Sequence, residues 1–189
     1  ADRGACAAVR SCSFSSGNLS LSGNGSLLVP PGDYELCSIN LSGNTTFEIT
    51  GPTEIYIDQP GTNGCSGGGG VSVTGSAVIA AAEDVTPGNF QLLVGGSSGA
   101  SASVTLSGNS KVQTPVALVA PYSNVTISGN ASFLGGVLGS TVNVSGNVSV
   151  TSYQALRFST ASPPPQYQRV SYTECTSTTP PPGAPDQGC

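Results

Sequence analysis

Residues 125–147 read VTISGNASFLGGVLGSTVNVSGN, and the stretch contains one short pattern twice. Each copy is a run of alternating apolar and polar residues that ends in Ser-Gly-Asn, and the second copy starts 17 residues after the first. Since alternation with a period of two is typical of a β-strand, Val125 and Ile127 are predicted to face inward and Thr126 outward. Two more short apolar segments follow in the first copy, separated by a corner at Gly135-Gly136. The stretch therefore predicts a coil with three sides and glycine corners.

The same pattern recurs along most of the chain. Five copies of Ser-Gly-Asn follow an alternating run, and a sixth run ends in Ser76 where the others have Asn. The six runs begin at residues 19, 39, 71, 104, 125 and 142, which gives steps of 20, 32, 33, 21 and 17 residues. The short steps match one coil of a parallel β-solenoid, in which a strand pairs with the equivalent strand of the next repeat. The two long steps contain either an additional degenerate coil or a loop that leaves the stack.

These repeats predict an all-β, single-domain parallel β-solenoid, also called a β-helix, of about six or more coils, with the right-handed form favoured. A short helix is expected only in a cap around residues 1–10. A Pro-rich tail follows the solenoid, because proline lacks the backbone donor that a sheet interior needs. The predicted divisions are residues 1–18, an N-terminal cap with Cys6 and Cys12; residues 19–160, the solenoid; and residues 161–189, an extended tail with Cys175 and Cys189.

The six cysteines predict disulfide bonds and an extracellular or cell-surface location. Their number is even, and without histidine a metal site would need four thiolates from scattered positions. Four of them lie near the chain ends, which predicts disulfides that staple the ends of the solenoid, while the pairing itself stays open. Cys65 is expected to tether a protruding Gly-rich loop at residues 59–70. The predicted disulfide cysteines are Cys6, Cys12, Cys37, Cys65, Cys175 and Cys189.

The charge composition excludes several classes of function. The chain has 5 basic and 10 acidic residues, a net charge of −5 and no histidine. Without histidine it can form no Ser-His-Asp or Cys-His catalytic site and no histidine-bound zinc site. Five cationic side chains are too few to bind a nucleic acid or an anionic membrane surface. No apolar run approaches the roughly 20 residues that cross a bilayer, so membrane insertion is not expected either. No metal, cofactor or catalytic residue is predicted.

The asparagine of Ser-Gly-Asn is predicted to be structural. At a repeated corner identical side chains stack, and an amide can donate to one neighbour and accept from the next, which satisfies polar groups that would otherwise be buried. The preceding glycine permits a backbone conformation that a β-carbon would forbid. Among the Asn-x-Ser/Thr sequons, only Asn40 and Asn143 are expected to face outward as candidates for glycosylation. The predicted ladder consists of Asn24, Asn44, Asn109, Asn130 and Asn147.

Two further functions compete with a purely structural role. Enzymes that cleave polysaccharides need paired carboxylates, and Glu48, Glu54 and Asp58 are the candidate set for such a cleft. No cluster of acids recurs in adjacent coils and residues 104–150 contain none, so the protein is expected not to be an enzyme. A flat array of hydroxyls could bind ice or carbohydrate, although regular ranks of Thr would favour ice more strongly. The outward column that would form this array is Ser20, Asn40, Ser72, Thr105, Thr126 and Asn143.

The stretch 125–147, with Ala117–Asn124 before it and Ser152–Leu156 after it, resembles the solenoid domain of bacterial type IV pilus accessory proteins. These include PilX-like and MSHA-biogenesis-type proteins and pilin-like tip proteins, which carry the apolar-Thr-apolar-Ser-Gly-Asn pattern and end in Tyr-x-x-Ala-Leu. Pro30–Tyr34 is similar to their Pro-Pro-Gly-Thr-Tyr, and the resemblance spans roughly residues 19–156. It implies a surface-exposed domain on a pilus or envelope structure, with a role in adhesion or pilus function and no active site.

We therefore expect a non-enzymatic, extracellular structural or adhesive module of a bacterial surface appendage of the type IV pilus kind. A self-assembling filament subunit is the main alternative, because the ends of a solenoid expose strand edges that must be capped or stacked. The expected partners are pilus or envelope protein subunits, further copies of the chain, or surface carbohydrate. The first residues lack the apolar segment of a signal peptide, so the sequence is expected to be a mature chain or an excised domain.

Overall fold

The computed structural model describes residues 12–65, 69–82, 89–97 and 100–153, which form β-strands joined by turns and bends. The chain divides into residues 1–158 and residues 159–189, and everything described lies in the first unit. Within this part of the chain, no helix is long and apolar enough to cross a membrane. The predicted cap helix, Cys6 and the Pro-rich tail with its two cysteines lie outside the described residues.

Sixteen strands are described, of which 14 belong to one sheet and two form a separate small hairpin. They are β1 (Cys12–Ser15), β2 (Asn18–Leu21), β3 (Ser26–Val29), β4 (Gly32–Leu36), β5 (Ser38–Leu41), β6 (Thr46–Ile49), β7 (Thr53–Ile57), β8 (Gly70–Val73), β9 (Val78–Ala81), β10 (Phe90–Val94), β11 (Gly96–Ser97), β12 (Ala100–Ser101), β13 (Ser103–Leu106), β14 (Lys111–Gly129), β15 (Ser132–Gly146) and β16 (Ser149–Thr151).

The six alternating runs pair side by side in one parallel ladder, here called the first ladder. It contains β2, β5, β8, β13 and the C-terminal parts of β14 and β15, each paired with the next. The two long steps of the sequence therefore carry loops, because β5 pairs directly with β8 and β8 with β13. One column of this ladder runs through Leu19, Ile39, Val71, Val104, Val125 and Val142, and all but Val142 are buried.

Two more parallel ladders contain the rest of each repeat. The second ladder contains β3, β6, β9, the first residues of β14 and β15, and β16. The third ladder contains β4, β7, β10 and the middle parts of β14 and β15. β14 and β15 pass through all three ladders, and register shifts after Val112 and after Ala120 separate the three parts.

The strands together form a mostly parallel sheet that wraps, like a nearly closed barrel, around one apolar core. The prediction of an all-β protein is confirmed for the described residues. In the C-terminal part of β14 the alternation is as predicted, since Val125 and Ile127 are buried and Thr126 is partly exposed. The largest fully buried side chains are Phe47, Phe90, Leu21, Leu41, Ile49, Ile55, Ile57, Leu118, Ile127, Val73, Val104 and Val125.

Gly135-Gly136, the predicted corner, lies where β15 passes from the second ladder to the third, because Phe133 pairs with Val112 and Gly135 with Val116 across a register shift. Both glycines lie within β15 and pair with Val116 and Ala117 of β14 in the third ladder. Gly135 has a φ of +143°, and a β-carbon there would collide with the backbone of Val116. The glycine therefore allows the two strands to approach closely at the start of the third ladder in β15.

One disulfide is described in full, between Cys37 and Cys65, which are 28 residues apart. Cys37 lies between the third and first ladders, and Cys65 belongs to the loop that follows β7. The bond ties that loop to the preceding repeat, in agreement with the predicted tether. Cys12, in the first strand, is also disulfide-bonded.

Candidate functional site

The Ser-Gly-Asn corner stacks its backbone directly on the corner of the preceding repeat. The amide of Asn130 donates to the carbonyl of Gly108 at 2.7 Å, and the amide of Asn147 donates to the carbonyl of Gly129 at 2.7 Å. The same bond joins Asn44 to Gly23 at 2.7 Å. These hydrogen bonds between successive corners extend the first ladder into the turn, so the corner also helps to hold neighbouring repeats together.

The glycine of this corner is required for two separate reasons. Gly129 has a φ of +81°, in the left-handed region that L-residues with a side chain seldom adopt. A β-carbon at Gly129 would also lie 2.7 Å from the carbonyl oxygen of Gly108, too close for any real contact. Gly23, at the first corner, has the same conformation with a φ of +72° but has nothing within 4 Å of such a β-carbon.

The asparagine side chains above these glycines are hydrogen-bonded in two separate series. Asn44 Nδ2 donates to Asn24 Oδ1 at 3.1 Å. Farther along, Asn130 Nδ2 donates to Asn109 Oδ1 at 3.1 Å, and Asn147 Nδ2 donates to Asn130 Oδ1 at 3.3 Å. Ser76 stands between the two series, since its amide donates to Gly43 while the amide of the next corner donates to Gly75.

All five ladder asparagines are exposed, so the expectation that they satisfy buried polar groups is wrong. The corner turns its asparagine toward solvent, and the residue that follows it faces the core instead. That inward column contains Thr45, Ala77, Ser110 and Ala131, each no more than 1% exposed. The hydroxyls of Thr45 and Ser110 are buried there without a hydrogen-bond partner, which costs roughly 1–3 kcal/mol each.

The outward face of the first ladder is an uninterrupted polar surface. Ser20 pairs with Asn40 and Asn40 with Ser72, while Thr105 pairs with Thr126. These side chains are exposed or partly exposed, and the whole column carries hydroxyl and amide groups without a charge. Both sequon residues that were expected to face outward, Asn40 and Asn143, are exposed.

The three candidate catalytic acids do not lie in one column. Glu48 is on the second ladder, where it pairs with Leu28 and Ala80. Glu54 is on the third ladder, where it pairs with Asp33 and Gln91. Glu48 and Glu54 therefore lie on two different ladders.

The third acid, Asp58, belongs to a small polar contact at the start of the loop after β7. Asp58 is 6% exposed, and its carboxylate accepts hydrogen bonds from Asn63 Nδ2 at 3.2 and 3.3 Å. The same amide donates to Glu35 Oε1 of the preceding repeat at 2.7 Å. The Asn63 amide and the disulfide therefore both hold the loop against the strands. Asn63 itself has a φ of +46°.

The described strands also enclose a void. It is lined entirely by apolar side chains, among them Phe90, Leu118 and Phe133. Among the described residues, no group of three or more His, Cys, Asp or Glu side chains could hold a metal ion. The polar outward face of the first ladder is therefore the candidate binding surface.

Two sets of residues were not predicted from the sequence. The strands β3 and β4 were not singled out, because no Ser-Gly-Asn marks their ends. The exposed apolar residues at the end of the stack were also missed, because Val142 and Val144 have the same alternation as the buried runs before them. Their position as the last repeat of the series was the signal that could have identified them.

Comparison with known proteins gives one result. Residues 14–158 match the model of a protein family described as Domain of unknown function (DUF7305). No curated protein and no solved structure matches the chain.

Proposed function

The chain belongs to the family Domain of unknown function (DUF7305), and from that premise we propose that it is a non-enzymatic extracellular structural and adhesive module of a bacterial surface appendage. The single observation that carries the adhesive part is the outward face of the first ladder. Its hydroxyl and amide side chains stand in register on six repeats, with no charge among them. The resemblance to type IV pilus accessory proteins supports the surface appendage.

We further propose that the three ladders are the three sides of a parallel β-solenoid with six coils. Paired residues are one repeat apart in sequence in every ladder, as from Ser26 to Thr46 and from Gly32 to Thr53. A strand that returns to the same sheet through a crossover does so in the right-handed sense almost without exception, which favours a right-handed solenoid. Such stacking gives a stiff body, because each coil is hydrogen-bonded to both neighbours along most of its length.

The charge distribution supports a neutral polar ligand. Residues 112–156 contain no charged side chain at all, while the acids are concentrated in the first half of the chain and in the C-terminal segment. A carbohydrate surface presents hydroxyls that can exchange hydrogen bonds with serine, threonine and asparagine, whereas a polyanion would require Lys or Arg. We therefore assign surface carbohydrate as the preferred ligand class and pilus or envelope subunits as the protein partners.

Glycan binding by the full chain tests the adhesive part. The variant Thr105→Glu/Thr126→Glu places two like charges on adjacent coils of the proposed face, and binding should fall at least about tenfold. The matched control, Gln91→Glu, places a charge on the outward side of the third ladder and should bind as the wild type does. Equal loss in both variants would contradict the assignment of the face, and the absence of binding to any neutral glycan would refute adhesion to carbohydrate.

Immunogold electron microscopy on cells that produce the protein tests the location. Label on pili or on the outer envelope, and recovery of the protein in the fraction of sheared appendages, is the expected result. Label confined to the cell interior would overturn the proposed function.

A self-assembling filament subunit is the second candidate, and the apolar end of the strand stack favours it. Val142, Val144 and Val150 are 44%, 53% and 51% exposed, although they occupy columns that are buried in the earlier repeats. Electron microscopy of the purified chain distinguishes the candidates, since filaments would support assembly and discrete particles would oppose it.

A further inference from the structure

The outward face of the first ladder carries two adjacent columns of short polar side chains, here called the polar strip. The first column runs from Ser20 to Asn143 and is paired strand by strand. The second follows two residues later in each repeat, where the backbone amides of Ser42, Thr74 and Ser107 donate to carbonyls of the preceding repeat at 2.9 to 3.0 Å. This second column is Ser22, Ser42, Thr74, Ser107, Ser128 and Ser145.

The polar strip is long and narrow. Neighbouring strands of a sheet lie about 4.8 Å apart, so its six rows extend over about 24 Å, while the two columns are about 7 Å apart. All twelve side chains are exposed or partly exposed, and none is larger than asparagine. Sites for small molecules are usually concave, and side chains this short form no walls around a single sugar. A ligand must therefore gain its contacts along the length of the strip.

The polar groups of the strip are available to an outside partner. Among the described residues, these side chains make a single hydrogen bond, from Thr74 Oγ1 to the carbonyl of Leu41 at 3.5 Å. No member of either column is charged. Serine and threonine hydroxyls can both donate and accept, and short side chains lose little rotamer freedom on binding. The strip therefore matches a partner that presents uncharged hydroxyls and amides along a line.

The polar columns on either side of the strip are less suited to such a partner. On one side the asparagines of the corner already bond to each other, as Asn130 Nδ2 does to Asn109 Oδ1. On the other side Ser38 Oγ donates to Asn18 Oδ1 at 2.7 Å, and the next position of that column is Gly70, which has no side chain. The uninterrupted direction is thus along the strip, from one repeat to the next.

We propose that the polar strip binds an extended, uncharged polysaccharide chain that lies across the strands, with successive sugars over successive repeats. The inference rests on the proposed function, because it names the kind of carbohydrate and the way in which it lies on the face. A β-1,4-linked chain of glucose or N-acetylglucosamine is extended and advances by roughly one strand spacing per sugar. Neighbouring sugars can therefore contact neighbouring rows, and about six sugars span the strip.

Isothermal titration calorimetry of the full chain with cello-oligosaccharides and chito-oligosaccharides, from the disaccharide to the octasaccharide, tests the proposal. Each added sugar should raise the affinity by about two- to tenfold, because it adds about one net hydrogen bond. The gain should stop near the hexasaccharide, because the chain then reaches the last row of the strip.

Charged variants in different rows test the way in which the polysaccharide lies. Thr105→Glu raises a longer, charged side chain in the fourth row and leaves at most three uninterrupted rows, so the affinity for the hexasaccharide should fall to about the wild-type value for the trisaccharide. Ser20→Glu changes the first row, leaves five rows and should lower that affinity by no more than about tenfold. Gln91→Glu, on the outward side of the third ladder, is the control and should bind as the wild type does. Far-UV circular dichroism establishes that all three variants are folded.

Three results would overturn the inference. Equal affinity for the disaccharide and the hexasaccharide, or equal losses in Thr105→Glu and Ser20→Glu, would do so while leaving adhesion to carbohydrate intact. Binding of the branched, α-linked glucan dextran in place of both oligosaccharide series would also leave adhesion intact and exclude the extended chain. If no glycan binds and the folded protein instead shows thermal hysteresis, the strip binds ice, and the carbohydrate ligand of the proposed function fails as well.

Discussion

Replacing Gly129 by alanine separates the conformational role of the corner glycine from its packing role. Gly129→Ala places an alanine at a backbone φ of +81°. Its β-carbon would lie 2.7 Å from the carbonyl oxygen of Gly108. Gly23→Ala places an alanine at a similar backbone φ of +72°, but its β-carbon would have no atom within 4 Å. The pair shares the conformational cost and differs in the contact with the neighbouring coil.

The expected magnitudes follow from these two terms. A left-handed conformation costs an alanine roughly 1–2 kcal/mol, and the reduced freedom of the unfolded chain returns about 0.4–1 kcal/mol. Gly23→Ala should therefore destabilise the protein by about 1 kcal/mol. Gly129→Ala adds the cost of forcing two neighbouring repeats apart, about 1–3 kcal/mol, for a total of roughly 2–4 kcal/mol.

Equilibrium unfolding in urea, followed by far-UV circular dichroism with the disulfides intact, measures both values. The double variant should lose about the sum of the two effects, because the corners are several coils apart. Equal destabilisation by the two single variants would refute the packing argument, since it would mean that stacking places no steric demand on the interior corners.

Three other predictions concern stability and use the same unfolding measurement. Ser76→Asn should join the two asparagine series and raise the free energy of unfolding by about 0.5–1.5 kcal/mol; no gain would show that the side-chain bonds are energetically neutral. Thr45→Val removes a buried hydroxyl without a partner and should stabilise by about 1 kcal/mol, whereas a loss would mean that the hydroxyl is hydrogen-bonded after all. Cys37→Ser/Cys65→Ser opens a crosslink over 28 residues and should cost about 3–4 kcal/mol, while an unchanged midpoint would contradict a structural role for that disulfide.

The first ladder was predictable because its residues carry a visible marker. Val125 and Ile127 face inward as the alternation requires, and all six marked runs pair with one another. The third ladder was harder to predict, because Gly135 is as suitable for a turn as for close packing of strands. A glycine is needed at this position of β15 because the backbone of Val116, 19 residues earlier in the sequence, comes close to it.

The candidate surface was predicted in part. The outward column of hydroxyls and amides follows from periodicity alone, and the structure exposes it. The orientation of the ladder asparagines was not predictable in that way, since a turn between two strands has no alternation to extend. The direction of the Asn130 side chain depends on the φ of Gly129. The sequence shows only that a glycine stands there, and a glycine can adopt many values of φ.

The connections between the three ladders differ in the number of residues that they allow. From the first ladder to the second the chain always takes the same length, as from Leu21 to Ser26 and from Ile127 to Ser132, while the long loop with Cys65 leaves from the corner after the third ladder. The stacked glycines exclude insertions at the constant corner, because an added residue would displace every backbone bond above it. Insertions should therefore be tolerated in the connection that follows the third ladder. This applies to insertions that arise in evolution and to peptides grafted by engineering. In that connection the molecule can acquire a new binding loop without altering the pairing of its strands.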